Sequence, residues 1–364
     1  MKPKILFILH LPPPIHGAAM MGKYIQESEL INSSFDCFCI NLATAGSLSD
    51  IGHISLKKLL KYFFLLKHIS NVVREIRPEL VYITPNAGRK AFFKDFIVVQ
   101  MLKSMGCKVI AHYHNKGVSV YQSKWVYNFF YKRFFSNLKV ILLAENLYKD
   151  IAKYVKREDV YICPNGIPSS CKEEMEARRN NVIPHLLFLS NLLISKGVIV
   201  LLDALRILKE KGYLFNCQYV GGETAEINAM QFVVEVERRK LNDRVAYAGR
   251  KVGEEKNTFF QQADIFILPP KNECFPMDIL QDMEYKLPLI STNEGGYPDI
   301  VKDGENGLIC EKQNPVSLAD CIAKLLDDEE LRVKMGSAGH EKFCREFTLD
   351  KFENRMRDIL NQNL

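Results

Sequence analysis

Residues 272–301 form the stretch whose residue types are best suited to hold a phosphate group. The apolar run Ala263–Leu268 before it is stopped by two prolines, which is typical of a buried parallel strand. A loop follows, and the apolar spacing from Pro276 to Tyr285 predicts a helix. Because such a helix begins at the carboxyl edge of the sheet, its free backbone N–H groups can bind an anion there. A second predicted strand, Leu287–Thr292, leads into the flexible turn Glu294-Gly295-Gly296 at the same edge.

Two further side chains with useful chemistry follow other predicted strands. Lys196 lies at the start of a helix predicted to run to about Lys211, where an ammonium group can meet a phosphate. His114 follows the predicted strand Lys108–His112, so its imidazole lies at the carboxyl edge, where substrates bind. Each residue has a purely structural alternative. Lys196 can be a solvated lysine at a helix start, and His114 can be a histidine hydrogen-bonded to the backbone.

The elements that position these residues alternate between strand and helix. In the first half, strands are predicted at Lys4–His10, Asp36–Leu42, Leu80–Thr84, Lys108–His112 and Lys139–Leu143. This alternation predicts parallel, doubly wound sheets, and 364 residues suit two domains. Pro164-Asn165-Gly166 is a turn suited to a domain joint. We therefore predict a first domain over residues 1–165, a second over 166–345, and a last helix within 346–364.

The charges of the two halves have opposite signs. Residues 1–165 hold 23 Lys and Arg against 11 Asp and Glu, a net charge of +12, whereas the remainder holds 26 against 32, a net charge of −6. This asymmetry predicts an anionic partner for the first half. The ten cysteines include no C-x-x-C pair, so we expect reduced thiols and no zinc site. No apolar run approaches the roughly 18 residues that span a bilayer, which predicts a cytoplasmic protein without a signal peptide.

Two segments of the first half mix aromatic side chains with positive charge, and both are predicted to be helical: Ser55–Arg77 and Tyr121–Lys139. In the first, an apolar stripe of Leu56, Leu59, Leu60 and Phe63 is flanked by Lys57, Lys58 and Lys61. This is the pattern of a helix lying on an anionic bilayer, and the alternative is a crossover helix whose stripe packs on its own sheet. No nucleic-acid-binding motif accompanies the charge, so a nucleic-acid partner is not predicted.

Read in order, these residues resemble the donor-site signature of the retaining GT-B glycosyltransferases of family four. The match comprises Glu273, Phe275-Pro276, Leu287-Pro288, Gly295-Gly296, Pro298-Asp299-Ile300-Val301 and Asp303-Gly304-x-Asn306-Gly307. The resemblance implies that Glu273 contacts the transferred sugar and that the loop after it, Cys274, Phe275, Pro276 and Met277, holds sugar and phosphate. Gln281 stands where the family has a carboxylate on the ribose, a change that we expect to weaken nucleotide binding by about 1 kcal/mol.

The same resemblance assigns the remaining donor contacts. The family binds the diphosphate with an Arg and a Lys; here Asn191 stands in place of the Arg, Lys196 remains, and Arg250 is a candidate to compensate. The resemblance further implies that the backbone at Val252 contacts the base and that Gly17 approaches the diphosphate. It also implies that the turn at Glu223 borders the donor and that His114 lies near sugar and acceptor.

The fold and activity that follow from the resemblance are specific. The fold is GT-B, two Rossmann-like domains facing a cleft, with the last helix returning to the first domain. The activity is retaining transfer of a sugar from a nucleotide diphosphate sugar, UDP- rather than GDP-linked, without metal or other cofactor. The basic first half points to a lipid-linked glycan acceptor, in the synthesis of bacterial surface polysaccharide such as lipopolysaccharide or capsule, on the inner face of the cell membrane. Two alternatives stay open: a GT-B epimerase of nucleotide sugars, and a non-catalytic nucleotide-sugar-binding module.

Overall fold

The chain folds into two compact units, each built on its own parallel sheet. The structure is a computed structural model that describes residues 2–13, 16–42, 56–169 and 181–364, without the side chains of residues 56–58. One unit comprises Met1–Gly166 together with Leu349–Leu364, and the other comprises Ile167–Thr348. The predicted side-chain stripe at Leu56, Lys57 and Lys58 therefore lies outside what is described.

The first unit contains a six-stranded parallel sheet in the order β2-β1-β3-β4-β5-β6. Its strands are β1 Lys4–Leu9, β2 Asp36–Asn41, β3 Leu80–Ile83, β4 Val109–Tyr113, β5 Lys139–Leu142 and β6 Val160–Ile162. Its helices are α1 Gly17–Glu27, α2 Glu29–Ser34, α3 Leu56–Ile76, α4 Arg89–Ser104, α5 Val118–Tyr121, α6 Trp125–Phe135 and α7 Tyr148–Ile151. The central strands are buried apolar runs, as expected of a sheet covered on both faces.

The second unit repeats this architecture with the strand order β12-β11-β10-β7-β8-β9, also parallel throughout. Its strands are β7 His185–Leu189, β8 Asn216–Val220, β9 Val245–Tyr247, β10 Ile265–Leu268, β11 Leu289–Thr292 and β12 Gly307–Cys310. Its helices are α8 Val198–Glu210, α9 Ala229–Arg238, α10 Glu254–Gln262, α11 Asp278–Glu284, α12 Tyr297–Ile300, α13 Pro315–Asp327 and α14 Glu329–Glu346. The last helix, α15 Leu349–Gln362, belongs to the first unit and contacts α2 there. The predicted doubly wound α/β class is confirmed in both units.

Two helix predictions were wrong in their bounds. The segment Tyr121–Lys139 is not one helix, because extended backbone at Lys124 separates α5 from α6, and α6 ends where Lys103 Nζ bonds the carbonyls of Phe134 and Ser136. The helix predicted from Pro276 begins at Asp278, so Pro276 lies in the loop before it.

Two further observations concern cysteines and the membrane. Eight described cysteines are free thiols, but the expectation of reduced thiols is wrong at Cys344, which is disulfide-bonded. Across the described ranges, no helix combines the length and the apolar character that a bilayer crossing requires.

Candidate functional site

Lys196 and Glu273 form an ion pair at the carboxyl edge of the second unit's sheet. They follow β7 and β10, which are neighbouring strands, so the parallel sheet brings together two residues that are far apart in sequence. The Lys196 ammonium donates to Oε2 of Glu273, and the two side chains are only 22% and 16% exposed. Burial lowers the pKa of Lys196 from its usual value, and the nearby Asp278 carboxylate acts in the opposite direction. The edge therefore offers a partly desolvated cation and carboxylate, which suits recognition of an anion next to hydroxyl groups.

Close backbone approach holds the Lys196 turn against the loop after β10. Gly197 has φ +89°, and a Cβ at this position would lie 2.3 Å from the carbonyl oxygen of Pro269. The N–H of Lys271 also donates to the carbonyl of Ser195 at 2.8 Å. Only glycine satisfies both the left-handed backbone and the contact, so the turn that carries Lys196 is fixed by its neighbour.

The loop that carries Glu273 is held in the same way by the turn after β11. Gly295 has φ +53°, and a Cβ here would lie 2.3 Å from the Glu273 carbonyl oxygen and 2.7 Å from that of Cys274. The N–H of Gly296 donates to the Cys274 carbonyl at 2.8 Å. The Cys274 N–H is itself engaged by Oε1 of Glu273 at 3.0 Å. The glycine pair, which the sequence identified as a flexible turn and as part of the donor-site signature, therefore fixes the position of the loop that carries Glu273.

Sequence reasoning missed a second carboxylate at this edge, Glu294. It is 5% exposed, its Oε1 accepts from the N–H of Glu273 at 3.4 Å, and its Oε2 pairs with Lys312. The available signal was its position directly after β11, at the edge where ligands of parallel sheets bind. Glu294 supports the backbone of Glu273 and adds a paired negative charge beside it.

Asn191 and Arg250 lie together against Gly222, in the loops after β7, β9 and β8. The Asn191 side-chain oxygen accepts from the Gly222 N–H at 3.0 Å. The Cδ of Arg250 lies 3.9 Å from where a Cβ on Gly222 would be. Asn191, interpreted from the sequence as a lost positive charge, is thus a neutral link between two loops, and the exposed residue Arg250 approaches the same glycine.

The other predicted donor residues of this unit lie on the same loops. Oε2 of Glu223 accepts from the N–H of Ala229 at 2.9 Å, which places its charge at the start of α9. Val252 is 66% exposed in the loop after β9. The remaining five lie before or in α11. Cys274, Phe275 and Pro276 are buried and Met277 is half-buried in the loop before this helix, and Gln281 is half-buried within it.

In the first unit, His114 lies directly after β4 in a cluster of imidazoles. Its ring centroid is 4.2 Å from that of His112, whose Nδ1 is 2.6 Å from the Tyr82 hydroxyl. Burial lowers the pKa of His114 to about 3, reinforced by His10 and opposed by the side chain of Asn165. His114 is therefore neutral at physiological pH and can donate or accept a hydrogen bond without carrying charge.

Gly17, the other predicted donor residue of this unit, is exposed at the start of α1, and its neighbour His16 caps that helix. The His16 ring lies 6.1 Å from that of His10, which sequence reasoning missed although it directly follows β1. His10 shares a hydrogen bond with Thr84 at 3.1 Å, and burial lowers its pKa to about 4. Both units thus carry polar groups at the carboxyl edge of their sheets.

Among the described residues, no group of three or more His, Cys, Asp or Glu is arranged to hold a metal ion.

Comparisons with known proteins agree with this architecture. Residues 174–342 match the model of the family described as Glycosyl transferases group 1. An uncharacterized glycosyltransferase of Methanocaldococcus jannaschii is 31% identical over 176 residues, which cover 48% of this chain and 47% of that protein. The amylovoran biosynthesis glycosyltransferase AmsK of Erwinia amylovora is 23% identical over 76% of this chain and 72% of its own length.

One solved structure matches the fold of almost the whole chain. Anabaena HepE, crystallised in complex with UDP, superposes with a TM-score of 0.74 at 15% identity, covering 99% of this chain and 100% of HepE. At that identity the likeness shows the fold alone, and it confirms the GT-B class. The chain spans about half the length of the M. jannaschii protein. The residues matched by the family model, 174–342, fall within the second unit. Residues 174–342 are therefore similar to the glycosyltransferase group 1 family, within a chain that has the GT-B fold.

Proposed function

We propose that this chain transfers a sugar from a nucleotide diphosphate sugar to a hydroxyl group of a glycan acceptor, with retention of configuration. The observation that carries the proposal is the Lys196–Glu273 pair at the carboxyl edge of the group 1 domain. In the reaction, the bond between the sugar C1 and the diphosphate oxygen breaks, and a bond forms between C1 and the acceptor oxygen on the same face. The proton of the acceptor hydroxyl passes to the departing diphosphate, so neither a protein nucleophile nor a metal ion is required.

Lys196 is the proposed counter-charge for the diphosphate. A bound diphosphate would compete with Glu273 for the ammonium group and would release the carboxylate to accept hydrogen bonds from the sugar hydroxyls. Because both side chains are largely withdrawn from water, their interactions with the developing charge are stronger than at the surface. Arg250, exposed beside Gly222, is the second proposed cation, in place of the one that Asn191 does not provide.

The remaining assignments concern the nucleotide and acceptor. We place the base at the loop of Val252, the ribose at Gln281, and the phosphates and sugar along Cys274–Met277, with Glu223 and Gly17 bordering the donor. Neutral His114 would hydrogen-bond the sugar or acceptor. UDP is the first nucleotide to test, since UDP and UDP-glucose are the ligands in the HepE structures that share the fold.

For the acceptor we propose a lipid-linked glycan used in bacterial surface polysaccharide synthesis, at the cytoplasmic face of the cell membrane. Two observations support this choice. AmsK, which matches over most of its length, is named for amylovoran biosynthesis, and a capsular polysaccharide biosynthesis glycosyltransferase, CapM of Staphylococcus aureus, also matches. The first half of this chain is strongly basic, as expected for approach to an anionic surface.

The test measures release of nucleotide diphosphate from a panel of UDP- and GDP-sugars, with and without lipid-linked acceptors. Lys196→Met and Glu273→Gln should each lower the rate by roughly 10²-fold or more, because each removes a group that acts on the developing charge. Matched controls are Lys302→Met and Glu305→Gln, an exposed ion pair of the same unit, which should keep wild-type rates. Wild-type activity in Glu273→Gln, or unchanged nucleotide affinity in Lys196→Met, would refute these roles.

A non-catalytic nucleotide-sugar-binding module is the second candidate, and the engaged, neutral Asn191 favours it. Calorimetry separates the two. If a nucleotide sugar binds but no acceptor turns over, then Gln281→Glu with Asn191→Arg should raise affinity without producing turnover. If turnover occurs in the wild type, the binding-module hypothesis is wrong.

A further inference from the structure

Three helices of the first unit lie side by side on one face of its sheet. The connections from β2 to β3, β3 to β4 and β4 to β5 all move in the same direction along the sheet, so right-handed crossovers put α3, α4 and α6 on the same face. The Tyr62 hydroxyl of α3 donates to the Lys94 carbonyl of α4 at 2.6 Å. The rings of Phe93 in α4 and Phe130 in α6 lie 5.3 Å apart. Each helix starts after a strand ends, so the three amino-terminal ends lie at the carboxyl edge of the sheet.

Large apolar side chains project into solvent at these ends. Leu59, Phe63 and Phe64 near the start of α3 are 56%, 63% and 63% exposed, and Trp125 at the start of α6 is 80% exposed. The inward face of α3 is formed further along, where Ile69 and Val73 are buried. The described part of the stripe in α3 is therefore not used to pack the helix on its own sheet, and an unpaired apolar patch of this kind marks an interaction surface.

Positive charge surrounds this apolar patch. Residues 56–135 hold 15 Lys and Arg against only three Asp and Glu, which equals the whole +12 excess of the first half. One of the three acids, Asp95, is buried and accepts hydrogen bonds from Asn86. Lys90 at the start of α4 and Lys124 before α6 are both exposed, at the amino-terminal ends of their helices and so at the same edge of the sheet. We call Leu59, Phe63, Phe64, Lys90, Lys124 and Trp125 the basic-aromatic rim.

We propose that the basic-aromatic rim seats the first unit on an anionic lipid bilayer, with the carboxyl edge of its sheet toward the headgroups. Leucine and phenylalanine enter the acyl boundary, tryptophan lies at the headgroup level, and lysines pair with anionic lipids. Exposed aliphatic side chains distinguish this surface from a nucleic-acid groove, which uses charge and aromatic stacking. Its catalytic meaning rests on the proposed function, because a lipid-linked acceptor would then be presented at the edge that carries His114.

The chain provides its own probe for the test. Trp125 is the only tryptophan and lies in the rim, so its fluorescence reports rim contact directly. With vesicles of phosphatidylglycerol and phosphatidylcholine, the emission should shift to the blue and the protein should co-sediment, and both effects should weaken with added salt. Lys90→Gln with Lys124→Gln should lower partitioning by about fivefold for each lysine. Phe63→Ser with Phe64→Ser should abolish it, and both side chains are exposed enough that the fold is kept.

A matched control uses the carboxyl end of α6, the end opposite to Lys124 and Trp125. Lys132→Gln with Arg133→Gln removes two exposed charges at the carboxyl end of α6 and should leave vesicle binding within about twofold of wild type. The proposal is overturned if the wild type does not bind anionic vesicles or if this control weakens binding as much as the rim variant. It is also overturned if the rim variants convert a dimer to a monomer in solution, which would make a second copy the occupant.

Vesicle binding needs no nucleotide sugar, so the test separates the two proposals. Calorimetry with nucleotide sugars on the rim variants should give wild-type affinity, because the rim lies in the first unit and the donor residues lie almost entirely in the second. Vesicle binding without nucleotide binding would refute the proposed function and leave the membrane proposal standing. Nucleotide turnover without vesicle binding would refute the membrane role of the basic-aromatic rim and leave the proposed function standing.

Discussion

Replacing Gly295 by alanine tests whether the turn after β11 sets the position of Glu273. At φ +53°, an alanine Cβ would lie 2.3 Å from the Glu273 carbonyl oxygen, well inside the closest approach of real Cβ atoms. Relief of the contact needs a shift of about 1 Å in the loop that carries the carboxylate, because a packed interior offers little free space. Gly304→Ala is the matched control, since Gly304 also has a left-handed backbone, φ +79°, but no atom lies within 4 Å of its Cβ position.

The two variants separate backbone strain from displacement of the site. Alanine in the left-handed region costs about 1 kcal/mol at either glycine. Gly295→Ala should add about 1–3 kcal/mol for the steric overlap. We therefore expect a loss of free energy of unfolding of about 1 kcal/mol for Gly304→Ala and about 2–4 kcal/mol for Gly295→Ala.

The assay combines urea unfolding, followed by far-UV circular dichroism, with calorimetry of nucleotide-sugar binding and the transfer rate. A misplacement of about 1 Å at a reacting centre can cost roughly 10²-fold in rate, so Gly295→Ala should lose transfer activity under conditions where it remains folded. Gly304→Ala should retain it. Equal destabilisation in the two variants, or full activity in a folded Gly295→Ala protein, would refute the reasoning that this turn supports Glu273.

Two further predictions concern the first unit. Burial lowers the pKa of His114 to about 3 and of His10 to about 4, below the ordinary 6.5, so the unfolded chain binds more protons than the native state across this range. The contribution of these two histidines to the free energy of unfolding should therefore be fully present above about pH 6.5 and be lost as the pH is lowered toward 4, by about 2–3 kcal/mol for each histidine at pH 4.5. Urea midpoints measured against pH check this, and His114→Asn should flatten the dependence whereas the exposed control His68→Asn should not. Asp150→Asn should destabilise by about 1–2 kcal/mol, since this carboxylate accepts from three consecutive N–H groups at the start of α5. Asp159→Asn, which removes a single ion pair with Lys139, should cost under about 1 kcal/mol in the same denaturation assay.

The sequence predicts the sheets well because their signal is local. Continuous apolar runs such as Lys4–Leu9 and Ile265–Leu268 need only hydrophobicity and flanking breakers to be recognised, and their alternation with helices then determines parallel pairing. It also places Lys196, Glu273 and His114 at strand ends, because the carboxyl edge follows from strand direction. The motif matched to a known family supplied what the periodicity of these runs does not contain, namely the GT-B class.

What the sequence could not predict depends on contacts between distant segments. At the end of α6, the carbonyls of Phe134 and Ser136 accept from the ammonium group of Lys103, some thirty residues earlier in the chain, and no local pattern signals this bond. The stripe in α3 has the same helical spacing whether it faces a sheet or a bilayer, so periodicity left both readings open. The exposed fractions of Leu59 and Phe63 show only that this part of the stripe does not pack on the sheet. Both features depend on tertiary packing, which the local sequence pattern does not contain.

Asn191 shows how the same limit affects the interpretation of a site. A comparison of motifs treats it as an arginine that is missing, because side chains are compared one position at a time. In the structure, the side-chain oxygen of Asn191 accepts a hydrogen bond from the Gly222 N–H and so joins the loops after β7 and β8. An arginine has no acceptor and cannot make this bond, so Asn191→Arg by itself would leave that N–H without this partner while adding charge. Arg250, an exposed residue whose Cδ lies near the same glycine, is the proposed second cation and would add positive charge without disturbing the link, so the two positions are best tested together.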